Sequence, residues 1–182
     1  MPFKFTKLDL DGLVLIEPTF FRDDRGFFTE SYKKTDFKNN GINSDFLQDN
    51  HSRSGKNVIR GLHYQQSPKS QGKLVRVIKG AVWDVAVDIR RSSPDYLHWR
   101  SFELSGDNGR MIYIPPWYAH GFLALTDDVH LLYKCTEEYD AKLDAGIRWN
   151  DPDIGIDWPV QNPLVSEKDR ILPFAKDAKL ID

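Results

Sequence analysis

The sequence predicts an all-β protein, an antiparallel sandwich or small barrel, on three observations. Apolar residues alternate at period two through about nine short segments. Clusters of Gly, Pro, Asp, Asn and Ser separate those segments. Only Lys34 to Asn40 and Ser166 to Ile171 read as helix, and pieces this brief do not supply the crossovers of a parallel α/β sheet.

Gly12 to Glu17, Gly26 to Tyr32 and Val58 to Tyr64 open the strand series. In Lys73 to Lys79, KLVRVIK, one face carries Lys73, Val75 and Val77 and the other Leu74, Arg76 and Ile78, and Gly80 ends the run. Val82 to Ile89 sets Trp83, Val85, Val87 and Ile89 on a face that reads as core, against Val82, Asp84, Ala86 and Asp88 on a polar face. Trp99 to Leu104, Arg110 to Ile114, His120 to Leu125 and Val129 to Cys135 complete the series. The breaks carry turn chemistry: Ser92-Ser93-Pro94-Asp95, Ser105-Gly106-Asp107-Asn108-Gly109, Pro115-Pro116 and Asp127-Asp128. From Asn150 onward the chain is rich in Pro and Asp and is expected to wrap over the sheets as an ordered loop.

A chain of 182 residues can bury one core over most of its surface, which predicts a single domain over residues 1–182. With 25 Lys and Arg against 27 Asp and Glu, the net charge of -2 gives no basic field for nucleic acid or an anionic membrane, so any anion binding is local. Cys135 stands alone, which excludes an internal disulfide and fits a reducing compartment. The opening MPFKFTKLDLDG lacks the apolar run of a signal peptide, and no segment approaches the ~20 apolar residues of a membrane helix. The cytoplasm is the expected location.

The stretch from Gln48 to Lys73 is denser in amides and basic groups than a plain strand pair needs. Within it His63 is an acid-base candidate, although a lone strand histidine also reads as a core residue satisfied by one hydrogen bond. Arg60 and His63 differ by an odd number and fall on opposite faces of a regular strand, so they share a cleft only if Gly61 hosts a bulge. A metal held by a His-x-His pair is not expected, because position 65 is Gln65 and none of the five histidines stands at ligand spacing from another. A Gly-rich phosphate loop, a dinucleotide fingerprint and a Gly-x-Ser-x-Gly elbow are also missing from the sequence. Proton transfer by side chains is the chemistry these residues can perform.

Several separate motifs occur together: Asp24-Arg25-Gly26-Phe27-Phe28-Thr29-Glu30, Gln48-Asp49-Asn50-His51-Ser52, Arg60-Gly61-Leu62-His63-Tyr64-Gln65, Gln71-Gly72-Lys73-Leu74-Val75, Asp84-Val85-Ala86-Val87-Asp88-Ile89-Arg90, Ile114-Pro115 with Ala119-His120-Gly121-Phe122, and Ser166-Glu167-Lys168-Asp169. In this order and spacing, over nearly the whole chain, the sequence resembles the dTDP-4-dehydrorhamnose 3,5-epimerases. The resemblance implies a double-stranded β-helix, or jelly roll, of the cupin type with short peripheral helices. It also implies a homodimer, no cofactor, and a dTDP-linked 4-keto-6-deoxyhexose as substrate.

By the same resemblance His63 matches the base, Tyr133 the acid on the far face of the sugar, Lys73 the group that stabilises the enolate, and Asp169 the carboxylate that orients His63. Arg25, Arg60 and Lys168 match contacts to the nucleotide sugar, where forked Arg donors suit a pyrophosphate. Glu30, Gln48, Asn50 and His120 match polar contacts, Tyr139 an aromatic stacked on the base, and Asp144 a contact for which the family often has Glu. Asp84, on the polar strand face, reads either as a supporting carboxylate or as a surface one. The expected reaction is inversion at carbons 3 and 5. The alternatives are a single-centre epimerase, a 3,4-ketoisomerase, and a sugar-binding sandwich without catalysis.

Overall fold

A computed structural model describes residues 2–181. In chain order the elements are β1 (Phe3–Lys7), β2 (Val14–Pro18), β3 (Phe21–Asp23), β4 (Gly26–Phe28), α1 (Lys34–Asn39), β5 (Gln48–Ser54), β6 (Val58–Gln65), β7 (Lys73–Lys79), β8 (Ala81–Asp88), β9 (Trp99–Ser105), β10 (Met111–Ile114), β11 (Tyr118–Ala124), β12 (Val129–Cys135), β13 (Asp144–Gly146), β14 (Leu164–Val165) and α2 (Glu167–Arg170). One sheet runs β1-β2-β10-β7-β12-β5 and the other β13-β6-β11-β8-β9, with β14 added to β6 in parallel; β3 and β4 form a separate hairpin. This is a jelly roll: two antiparallel sheets closed over one core, as expected.

Period-two alternation decides what lies between the sheets. Val75 and Val77 of β7, Ile112 and Ile114 of β10, and Val129 and Leu131 of β12 meet Val82 and Ala86 of β8, Leu104 of β9, and Tyr118 and Phe122 of β11. Each Val, Ile, Leu or Phe among them contributes ~1.5–3 kcal/mol by leaving water. The same rows turn polar toward one end. Lys73 pairs with Cys135, which pairs with Gln48; Val75 pairs with Tyr133, which pairs with Asn50. An alternating strand therefore carries apolar residues at the closed end of the barrel and chemistry at the other.

Strand β8 buries residues on both of its faces. The face of β8 bearing Trp83, Val85, Val87 and Ile89 is buried, but against a second core formed with Ile154, Trp158, Ala175 and Ala178 of the C-terminal segment. The barrel interior takes the opposite face, so Asp84 is fully buried and is not a surface carboxylate. The C-terminal segment does wrap the sheet, and it covers this second core. Strand β5, QDNHSRS, escaped prediction because its inward residues Gln48, Asn50, Ser52 and Ser54 are all polar, leaving no apolar period to read.

The short strands β1, β3, β13 and β14 were also not foreseen, and the remaining differences are at element ends. Gly26 to Tyr32 is a strand only as far as Phe28, where the pairing of β4 with β3 ends. Outside the barrel, α1 seats Phe37 on a third cluster with Phe3, Ile16 and Met111.

Candidate active site

The bulge foreseen at Gly61 is present. On β11 His120 pairs with His63 and Phe122 with Arg60, so three steps of β6 oppose two of β11. Gly61 has φ +127°, and a Cβ there would meet Gly121 Cα at 2.6 Å and His120 O at 2.8 Å, so only glycine fits. The extra residue turns Arg60 and His63 toward one chamber. It also releases the Gly61 N–H, which donates to Asp169 Oδ2 at 3.3 Å.

That chamber, about 490 Å³, is lined by Arg60, His63, Lys73, His120, Tyr133 and Asp169 among others. A second chamber of about 320 Å³ shares His63, Lys73, Tyr133 and Lys168 and adds Gln48, Asn50, Gln65, Tyr139 and Asp144. His63 and His120 come from one sheet, Lys73 and Tyr133 from the other. Histidine and phenol thus face a common space from opposite walls.

His63 Nε2 donates to Asp169 Oδ1 at 2.7 Å, a bond that leaves Nδ1 as the ring nitrogen able to take up a proton. Asp169 is buried. Ser166 Oγ caps α2 by accepting from Asp169 N at 3.1 Å, which leaves the Asp169 carboxylate for the histidine. Burial pushes the Asp169 carboxyl up, but the bond from His63, its nearby charge, and the Gly61 and Ser166 contacts outweigh it and bring it below the ordinary range.

Lys73 is buried, and its Nζ donates to His63 O at 3.2 Å and lies 6.0 Å from the centroid of the Tyr133 ring. Burial pushes its ammonium below its usual pKa. Burial pushes the Tyr133 hydroxyl up, so it stays protonated at neutral pH and is available as an acid. His120 is buried too and donates Nε2–H to Asp84 Oδ2 at 2.8 Å; burial holds it neutral.

At the rim, Asp144 accepts from Lys168 Nζ and from Tyr139 OH, the latter at 3.2 Å, so the shorter Asp still reaches its neighbours. Tyr139 is exposed, and its backbone N–H donates to Gln48 Oε1 at 2.8 Å. Gln48 Nε2 donates to Asn50 Oδ1 at 2.9 Å, and Arg60 is pinned to β5 by Ser54 Oγ and Arg53 O, each at 3.0 Å.

Two predicted residues are not brought here. Arg25 sits at the tip of the β3–β4 hairpin, exposed and paired with Asp23, and neither it nor Glu30 lines either chamber. Glu30 Oε2 is buried without a hydrogen-bond partner among the described residues.

Sequence reasoning missed the role of Gln65, at the position where a His-x-His pair would end. Its amide is wholly committed to the loop that carries Tyr139: Nε2 donates to Lys69 O and Glu138 O, and Oε1 accepts from Asp140 N. A buried amide at the end of an apolar strand was the available signal.

A jelly-roll barrel whose cavity sets a His–Asp pair against a tyrosine, with a buried lysine between, belongs to the class of cupin-type barrels equipped for acid-base chemistry on a small ligand. A family model described as dTDP-4-dehydrorhamnose 3,5-epimerase matches residues 7–177. The chain belongs to the dTDP-4-dehydrorhamnose 3,5-epimerase family. It is 51% identical over 171 residues to an enzyme of that name from Methanothermobacter thermautotrophicus, covering 92% of each chain.

Among solved structures, the Bacillus anthracis dTDP-4-dehydrorhamnose 3,5-epimerase with TDP and PPi bound superposes with a TM-score of 0.92 at 46% identity, covering 94% of this chain and 99% of that one. The Legionella pneumophila dTDP-6-deoxy-D-glucose-3,5-epimerase, in complex with dTDP-4-keto-L-rhamnose, superposes at 0.92 with 43% identity, covering 96% and 93%.

Proposed function

We propose that this chain epimerises dTDP-4-dehydro-6-deoxy-D-glucose at carbons 3 and 5, giving dTDP-4-dehydro-L-rhamnose. The observation that carries the reading is the approach of His63 and Tyr133 to one cavity from opposite sheets. Hydrogens beside the C4 carbonyl are acidic because their removal leaves an enolate. In this reading His63 Nδ1 takes one, and the C–H electron pair moves to O4, where the Lys73 ammonium balances the charge. Tyr133 returns a proton to the opposite face of the same carbon, which inverts it. His63 then holds a proton and Tyr133 lacks one; exchange with solvent restores both, and the cycle repeats at the second carbon.

Arg60 and Lys168 supply the positive charge for a pyrophosphate, and Tyr139, Gln48 and Asn50 supply the contacts for a base and its sugar. His120 meets the sugar ring from the His63 wall. Asp144 holds Lys168 and Tyr139 at the rim and acts on the substrate through them.

The same reading makes the protein a homodimer. Phe21, Phe27 and Phe28 on the β3–β4 hairpin are 54, 57 and 65% exposed, an apolar surface that a second copy would cover. Arg25 and Glu30, matched to substrate contacts yet outside this chain's own chambers, fit a site completed across that interface. The buried free thiol of Cys135 accords with a reducing, cytoplasmic setting.

Incubation with the 4-keto sugar in heavy water tests the function. Deuterium at both carbons with product of inverted configuration is expected, together with loss of exchange in His63→Ala by about 10²–10⁴-fold. Label at one carbon only would make the chain a single-centre epimerase, and no label at all would make it a binding protein.

A further inference from the structure

Lys73 is buried, and its charged form needs a counter-charge among the groups around it. Arg60 and His63 on β6, His120 on β11, Tyr133 on β12, Asp144 on β13, and Lys168 and Asp169 of α2 line the chambers, while Asp84 on β8, bonded to His120, and Cys135 on β12, paired with Lys73 itself, lie behind that lining. Cys135, Asp84 and Asp144 act against the burial that drives Lys73 toward its neutral form. Cys135 is itself pushed up by burial, so near neutrality it is an uncharged thiol. Asp144 is taken by Lys168 at the solvent-facing rim, and Asp169 by His63.

Asp84 remains. Its carboxylate is fully buried, its Oδ2 meets only a histidine that burial keeps neutral, and its Oδ1 is buried with no hydrogen-bond partner among the described residues. A buried carboxylate with a free oxygen is costly unless a nearby charge compensates it.

We propose that Asp84 is a positioning residue of the reaction: its charge keeps Lys73 cationic across the barrel, and its hydrogen bond holds His120 with the lone pair of Nδ1 turned to accept from a sugar hydroxyl. Asp84 touches no substrate. It acts through Lys73, which must be an ammonium when the enolate forms, and through His120, its diagonal neighbour across the β8–β11 ladder. The proposal rests on the function given above.

Asp84→Asn separates charge from shape, because an amide oxygen can still accept from His120 Nε2–H. Removal of the negative neighbour lowers the pKa of Lys73 further, so the neutral amine appears at lower pH. Burial pushes the Tyr133 hydroxyl up and the Lys73 ammonium down, so the alkaline limb of the kcat profile is expected to report Lys73. In the variant that limb moves to lower pH by about one unit or more, and kcat on it falls roughly tenfold. A limb that stays in place, whatever the loss of rate, overturns the proposal.

If Asp84→Asn does not fold, melting of Lys73→Met and of Lys73→Met/Asp84→Asn decides. Lys73→Met strands the carboxylate, so the double variant melts higher than the single one; an equal or lower Tm overturns the proposal. This measurement uses no substrate. It therefore stands apart from the assigned reaction, which fails separately if wild-type protein exchanges no deuterium.

Discussion

His63 Nε2 and Asp169 Oδ1 lie 2.7 Å apart although 106 residues separate them, with the imidazole side chain 32% exposed and the carboxylate 4%. The buried partner holds and the open one reacts. Replacement of Asp169 by Asn keeps the size but lets the imidazole take either tautomer, so kcat is expected to fall about 10²–10⁴-fold with little change in KM. Steady-state kinetics check this.

The same pair predicts a pH dependence of stability. The folded pKa of Asp169 lies below its unfolded value, so its contribution is complete above about pH 4 and is lost as pH falls through the folded pKa. Thermal melting from pH 6 to pH 2 should therefore drop more steeply for the wild type than for Asp169→Asn. Parallel curves would contradict the assignment.

Tyr133→Phe removes the acid and keeps the ring beside Lys73. Deprotonation by His63 remains possible, so wash-in of deuterium from heavy water should continue, while inverted product falls by about 10²–10⁴-fold. Proton NMR of the recovered sugar separates the two rates. Equal loss of both would remove Tyr133 from the role of acid.

Gly61→Ala tests the bulge. The added methyl collides with backbone on two sides at a φ of +127°, and a loss of roughly 2–4 kcal/mol is expected. Gly41 is the control: its φ is +92°, but a Cβ meets nothing within 4 Å, so Gly41→Ala should cost only about 1–2 kcal/mol of backbone strain. Urea unfolding ranks the two, and the reverse order would mean that the β6–β11 contact yields easily.

Charged residues at Phe27 and Phe28 should abolish a dimer built on the hairpin. Phe27→Asp/Phe28→Asp is expected to sediment as a monomer with its melting transition retained, because both side chains lie outside the three cores. A variant that still sediments as a dimer would move the interface elsewhere.

Alternating apolar residues made β6, β7, β8, β9, β11 and β12 legible from sequence alone, since a strand with one face in a core must repeat every second residue. The odd separation of Arg60 and His63, with Gly61 between, likewise marked the bulge in advance. The motifs offered His63, Lys73 and Asp169 as candidates, and the family resemblance added Tyr133, without any coordinate.

Strand β5 was hidden because its inner face lines a polar cavity, and polarity there looks like a loop. The choice between a supporting and a surface role for Asp84 stayed open because both faces of β8 are buried, and periodicity cannot say which face lies within the barrel. Gln65 became an anchor only once the loop at Glu138 to Asp140 had folded back onto it. Arg25 was placed at the site by motif, yet within one chain it sits on an exposed hairpin. Sequence fixes which residues alternate and which types are present, because these depend on neighbours along the chain. Closure of the two sheets decides which polar groups share a cavity, because Coulombic and hydrogen-bond coupling depend on distance in space and on exclusion of water.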